Sequence, residues 1–325
     1  MTQSPPNGTS NNATSDNSGA YVSVEALLQL RHLAKDLSLE SNRKSVALME
    51  GDSRTSFRGR GMEFAEVRPY QAGDDIRNID WRVTARTQKP YTKLFQEERE
   101  RPIFLVVDQR SPMFFGSNRQ FKSVFAAKLA AVIAWTAMQQ NDRIGALIFS
   151  DSSQTDSKPR RGKHAALSII HQLSEFNHQL NNPFALQSEQ SLEDMLHDIR
   201  RVAKPGSCVH IISDFHDFTE NCREPLSILA RHSDVNITHV FDELEWHLPE
   251  RGAFSISNGD QKLNISGQSS HFNHAFTSSF EKQLHAIRHA CLQSGVKFAS
   301  LPAHSHIKDV AYDLFTARRA RSGGR

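Results

Sequence analysis

Two short apolar runs each end on a lone carboxylate. Ile103–Val107 runs into Asp108, and Cys208–Ser213 runs into Asp214. A fully apolar segment closed by one acid is how a buried parallel strand carries a polar group to the C-terminal edge of an α/β sheet, where such folds place their sites. Gln109, Arg110, Ser111 and Pro112 follow the first aspartate, with Phe114 and Phe115 just beyond; Phe215, His216 and Asp217 follow the second. Three chemistries are open to this edge. Asp108, Ser111 and Asp214 offer hard oxygens for a divalent cation. His216 between two acids, with His304 and His306 from the loop after the last strand, offers the parts of a metal-dependent hydrolase. Taken together, Asp108, Arg110, Ser111, Phe114, Phe115, Asp214, Phe215 and His216 make the mixed aromatic and charged rim that a protein-binding face requires.

The hydrolase is the weaker of these. No HExxH, GxSxG, P-loop or Asp-x-Asp phosphatase pattern occurs, and with 16 histidines in the chain chance proximity is cheap. Asp74 and Asp75 are an adjacent acid pair on a turn marked by Gly73, and neighbours on a turn rarely converge on one substrate atom. The plainest reading of Asp108 is that it caps the loop that follows it.

The elements that must position these residues alternate. Strands are expected at Tyr91–Phe95, Ile103–Val107, Arg143–Phe149, Cys208–Ser213, Val235–Phe241 and Val296–Leu301. Between them lie helical patterns: one opened by Ser117 and Gln120 as a capping box, one over Lys163–Phe176, one opened by Ser191 and Asp194, one over Pro225–Arg231, one with the stripe Phe276 to Cys291, and a closing helix over Ile307, Val310 and Leu314. A hairpin is expected within Arg251–Gly267, and polar Asp151–Arg161 should hold at most a short edge hairpin. Such alternation implies a mostly parallel, doubly wound sheet. A first amphipathic helix starts after Ser23, carrying Leu27, Leu30 and Leu33. The expected division is a tail over 1–20, an N-terminal lobe over 21–100, an α/β domain over 101–317 and a basic tail over 318–325.

Residues Arg68-Pro69-Tyr70, Gly73-Asp74-Asp75, Ile79-Asp80-Trp81-Arg82, Ala85-Arg86 and Glu97-Glu98-Arg99 carry a resemblance. The chain is similar to the family catalogued as domain of unknown function 58, whose core is a von Willebrand factor A-like fold. The resemblance implies a Rossmann-like, mostly parallel sheet flanked by helices, with a smaller strand-containing lobe. That lobe holds the signature Arg68, Tyr70, Gly73, Asp74, Asp75, Asp80, Trp81, Arg82 and Arg86, expected as a salt-bridged lid around two aromatics.

The resemblance also implies an ion site, and this sequence departs from it. In von Willebrand A-like domains the first strand ends in Asp-x-Ser-x-Ser, a later strand adds an Asp and a loop adds a Thr, together holding magnesium. Here Asp108 is kept, but Arg110 and Pro112 stand at the serine positions, and the loop position falls near Gly162-Lys163-His164, with no hydroxyl. The site reads as a degenerate metal-ion-dependent adhesion site. No cofactor is expected; Arg110 is expected to stand where the ion would sit, paired with Asp108 or Asp214. Relatives of this kind are often linked to MoxR-type AAA+ ATPases, which implies a protein partner and a non-catalytic adaptor role in assembly or chaperone-like work.

Composition narrows the rest. Lys and Arg exceed Asp and Glu by only three (39 against 36), which gives no general reason to expect nucleic acid. A nucleic-acid reading would rest on Arg54, Arg58, Arg60 and the arginine tail, and the flexible-connector reading of that loop is the stronger, since no aromatics interleave. Cys208, Cys222 and Cys291 are too few and too scattered for a disulfide framework or a paired zinc site. No signal segment or membrane span is apparent, so the cytoplasm is expected.

Overall fold

The computed structural model describes residues 19–39, 62–71, 73–97, 102–179, 190–249, 253–257, 262–266 and 270–315. The chain divides into two compact units, Arg43–Glu100 and the remainder, Met1–Asn42 with Arg101–Arg325. In chain order the elements begin with α1 (Val24–Gln29), capped by the Ser23 hydroxyl and continued by a 3-10 turn over Leu30–Asp36.

The smaller unit follows. Strands β1 (Met62–Pro69) and β2 (Tyr91–Glu97) pair antiparallel, and between them lies α2 (Trp81–Thr87). The signature charges act here mainly as local caps. Asp75 accepts from Arg77 N, Asp80 accepts from Arg82 N and Val83 N, and the ion pairs are Arg68–Asp74 at 2.7 Å and Lys93–Asp80 at 3.5 Å. Trp81 is 69% exposed and Ile76 67%, and Arg77, Arg82 and Arg86 face solvent. The expected lid of charges packed around Tyr70 and Trp81 is therefore corrected: two of the acids satisfy the unpaired N–H groups at helical starts, which needs no burial.

In the larger unit, β3 (Ile103–Asp108) leads through a loop to α3 (Lys122–Gln139); β4 (Ile144–Phe149), β5 (Gln154–Arg160), α4 (Lys163–Gln179), α5 (Leu192–Val202) and β6 (Cys208–Ser213) follow. Then come α6 (Arg223–His232), β7 (Asp234–Phe241), α7 (Glu243–Trp246), the hairpin β8 (Ala253–Ser257) with β9 (Lys262–Ser266), α8 (Ser270–Gln293), β10 (Lys297–Pro302) and α9 (Ile307–Phe315). Six strands form one sheet in the order β10-β7-β6-β3-β4-β5, parallel except for edge strand β5. That order, with its antiparallel edge, is von Willebrand A-like.

The sheet is apolar on both faces, as a buried parallel sheet must be. One face packs on α3, α4 and the N-terminal segment, the other on α5, α6 and α8. Helix α3 is buried nearly all round, so it needs cover on its outer side as well as the sheet within. Residues 22–37 supply it. Leu27 is fully buried against the α3 core, Trp135 Nε1 donates to Leu27 O at 3.0 Å, and Leu37 packs with Val132 and Ala311. The expected lobe over 21–100 therefore loses its first helix to the α/β unit. The expected capping box at Ser117 is also corrected: α3 starts at Lys122 without a side-chain cap, and Ser117 Oγ donates to Asp242 instead. The basic loop Ser53–Gly61 and the tail from Arg318 lie outside the described residues.

If α1 is part of this core, Leu27→Ala should lower the stability of the full chain to urea by about 2–5 kcal/mol. A loss under about 1 kcal/mol would detach the helix from it.

Candidate functional site

Strands β3 and β6 are parallel neighbours, with Val107 in register with Ile212, so their following loops meet at the C-terminal edge of the sheet. This is the switch point, because the chain leaves β3 toward β4 on one side and returns to β6 on the other. Asp108 and Ser213 end the two strands side by side, and Ser213 Oγ donates to Asp108 Oδ2 at 2.6 Å. Both expected aspartates are here and buried, Asp108 completely.

Arg110 folds back over Asp108. Its backbone N–H and Nε donate to Oδ1 at 3.0 and 3.1 Å, and Nη2 donates to Oδ2 at 2.8 Å. The outer side of the guanidinium meets Asp217 as a fork, with Nη1 2.7 Å from Oδ2 and Nη2 3.0 Å from Oδ1, and Nη1 also donates to Gln190 O at 3.1 Å. All five guanidinium N–H donors thus have acceptors. The head lies 5.3 Å from the Phe149 ring centroid and is 1% exposed. Burial alone would lower its pKa, but the charge of Asp108, with Asp217, outweighs burial and holds it above the ordinary arginine value. Asp217 moves the other way: burial raises it, and the Arg110 pairing brings it below the usual carboxylate range.

Asp214 takes a different cation. Lys122, the first residue of α3, reaches its Oδ2 at 2.8 Å and Glu245 Oε1 at 2.5 Å. A cation at a helix N-terminus opposes the helix dipole, so two carboxylates are needed to hold this one buried. Burial would lower the Lys122 pKa; Asp214 and then Glu245 reverse that and raise it. In Asp214 burial raises the pKa and Lys122 more than cancels it, leaving it low. Glu245 ends above the usual carboxylate range, because there burial outweighs Lys122.

His216 joins the two clusters. Its Nδ1 lies 3.0 Å from Asp214 Oδ1 and 3.7 Å from Asp217 Oδ1, with the side chain 41% exposed. Burial pulls its pKa down, but the bond to Asp214 and the two acid charges raise it overall, against a smaller push from Arg110. Phe215 between them adopts a left-handed φ of 52°, uncommon for a bulky residue, and Gln283 on α8 clamps the turn by donating to Phe215 O and His216 O at 2.7 and 2.8 Å. The turn drives the Phe215 ring inward to 1% exposure, so its expected place on the rim is corrected. Ser111 is drawn aside to Asp151, which accepts from both its N–H and its hydroxyl. Phe114 is half-buried against Tyr21 and Phe121, and Phe115 is 38% exposed.

The outcome of the sequence reading is mixed. Arg110 pairs with Asp108 as expected, but its second partner is Asp217, and Asp214 belongs to Lys122. Magnesium does not fit this edge. Asp108, Ser111 and Asp214 are each committed to other partners, and two permanent cations stand among the acids where an ion would need free oxygens. His304 lies 3.6 Å from Glu243 and His306 contacts Arg119, so neither is engaged with His216 as the hydrolase reading required. Among the described residues no group of three or more His, Cys, Asp or Glu is arranged to hold a metal.

A fold of this type, with an ion-paired switch point, defines a von Willebrand A-like protein. The profile of the family described as "Protein of unknown function DUF58" matches residues 66–286, and the chain belongs to that family. It is 30% identical over 221 residues to the uncharacterized proteins Mb1516 of Mycobacterium bovis and Rv1480 of Mycobacterium tuberculosis, covering 67% of this chain and of each of those. Two solved structures are similar in fold. They are the conserved hypothetical protein BatB from Bacteroides thetaiotaomicron (11% identity, TM-score 0.40, 68% of this chain and 100% of that one) and a von Willebrand factor type A protein from Catenulispora acidiphila (10%, 0.31, 47% and 35%). Among the described residues no helix is long and apolar enough to cross a membrane.

Removing one member of a buried pair strands the other. Arg110→Met should cost about 3–5 kcal/mol in urea unfolding, and adding Asp108→Asn with Asp217→Asn should recover part of it. Equal stability of the single variant and the wild type would contradict the buried clamp. The pH dependence has two sides. His216 has a raised pKa, so its contribution is complete below the unfolded value of about 6.5 and is lost as pH rises through the folded value. Asp214 and Asp217 are lowered, so theirs is present above about pH 4 and is lost on acidification. In an NMR titration the His216 ring should titrate above 6.5 and move down in Asp217→Asn; titration at or below 6.5 in the wild type would refute the bridge.

Proposed function

We propose that the protein is a non-catalytic adaptor that docks a protein partner on the C-terminal edge of its sheet. The observation that carries this reading is the commitment of the edge: Arg110 is held between Asp108 and Asp217, and Lys122 between Asp214 and Glu245. General acid–base work needs a group free to exchange a proton with a substrate, and nucleophilic work needs an activated nucleophile. An edge of mutually satisfied ions offers instead a stiff surface that fixes the loops between them. Around it lie Phe115 and the His216 ring, an aromatic and a titratable contact of the kind protein interfaces favour.

The partner the family resemblance favours is a MoxR-type AAA+ ATPase, the pair working in assembly or chaperone-like activity. The purified full chain should capture a purified MoxR-type ATPase in a nucleotide-dependent manner. Phe115→Glu should weaken capture about tenfold or more without moving the melting temperature. Failure to capture the ATPase with ATP, with ADP and without nucleotide would reject this partner. Turnover of generic phosphate or peptide substrates that chelator abolishes would reject the adaptor reading itself.

A further inference from the structure

A second charged feature sits apart from the ion-paired switch point. Gly19–Val22, the start of α1, the end of the β3–α3 loop and the β10–α9 loop meet around a cavity of about 230 Å³. Its wall carries three basic side chains, Arg119, Lys128 and His306, beside the hydroxyls of Ser23 and Ser305 and the amide of Gln120, and among the described residues no acid lines it. The contrast with the switch point is the argument. There each buried cation is held by two carboxylates. Here Lys128, half-buried on α3, bonds only a neutral group among the described residues, Gln120 Oε1 at 2.7 Å. Gln120 cannot turn to improve on this, because its Nε2 donates to Ala303 O at 2.8 Å.

Arg119 is aimed by the backbone. It has a left-handed φ of 43°, uncommon outside glycine, at a point where the chain is pinched: a Cβ on Gly19 would collide with the Arg119 carbonyl, and Phe121 N donates to Gly19 O at 2.8 Å. Its Nη1 lies 2.7 Å from the imidazole nitrogens of His306 across the cavity mouth. Burial pushes the Lys128 pKa down, and the charge of Arg119, like Lys128 without a carboxylate partner among the described residues, adds to this. A dianion in the cavity would reverse both penalties at once.

We infer that this cavity is a binding site for a phosphoryl group, with Arg119 and Lys128 as its charged donors and His306, Ser23 and Ser305 completing the ring of donors. The volume corresponds to about seven water-sized groups. That exceeds what a bare phosphate fills and leaves room for a small ester substituent. A guanidinium, an ammonium and hydroxyls around one point match a tetrahedral oxyanion of two negative charges better than a planar carboxylate of one.

Calorimetric titration of the full chain with inorganic phosphate, and separately with glycerol 3-phosphate, at low and constant ionic strength tests this. Saturable binding at one site is expected, weakened about tenfold or more in Lys128→Met and in Arg119→Gln, with the melting temperature of neither variant lowered. Tighter binding of the ester would assign a small phosphorylated metabolite, and equal binding would assign free phosphate. Heat that chloride at matched ionic strength reproduces, or phosphate binding that both variants keep at wild-type strength, would overturn the site. Arg119 is exposed, so its variant keeps the test decisive should Lys128→Met fail to fold.

Discussion

A buried guanidinium between two carboxylates is the constraint on which the rest of this edge depends. Taken from water alone, Arg110 would carry a desolvation cost of several kcal/mol, and so would Asp108 beneath it. Neither can be buried without the other, and the pair leaves Asp217 as the only acid that completes the five-donor set. Through Asp217 the constraint passes to Leu192 N at the first turn of α5, and through Ser213 to the backbone of Phe215. One ion pair thereby fixes the ends of β3 and β6, the start of α5 and the turn between Ser213 and Asp217.

The second cation extends the same logic along the edge. Lys122 ties Asp214 to Glu245, whose other oxygen accepts from Asp242 N, and Asp242 accepts from Ser117. The loops after β3, β6 and β7 are thus connected by charge-assisted bonds between the chain's own groups. Counting Asp108, Asp217, Asp214 and Glu245 against Arg110 and Lys122, the acids exceed the permanent cations by two. That surplus is why the His216 imidazole, set between Asp214 and Asp217, favours its proton. The proton so held sits at the exposed rim of the edge.

What could be read from the sequence follows from how far each signal travels along the chain. The strands ending on Asp108 and Asp214 were legible because an apolar run closed by an acid is a local pattern, and the Ser191–Asp194 capping box was legible for the same reason. Arg110 opposite Asp108 was legible because the two lie only two positions apart. The Lys122–Asp214 and Lys122–Glu245 pairs span 92 and 123 positions, and a lysine at a helix start looks like any solvated one. Ser117 misled because Ser with Gln three residues on is a capping pattern whatever the true start, and an acid 125 residues away claimed its hydroxyl. Phe215 misled because nothing local announces that a bulky residue will take a left-handed turn and swing inward. Trp81 misled in the opposite direction: an aromatic amid charges suggests burial, yet those acids were needed at helix starts.

The sealed switch point bears on one physical question, namely where a protein of this fold keeps its interaction energy. A metal-bearing edge holds it in an ion with an open coordination position, which a partner's carboxylate can fill and whose loss leaves bare acids behind. Here the positive charge is covalently part of the chain, so it cannot leave, and its donors are already spent, so it cannot bond a partner's carboxylate strongly either. On the proposed docking reading, binding at such an edge comes from shape and apolar contact around a rigid polar floor, and from the His216 ring at its rim. On that same reading the edge is a surface assembled by the chain's own side chains, with the His216 ring as its exposed ionisable contact.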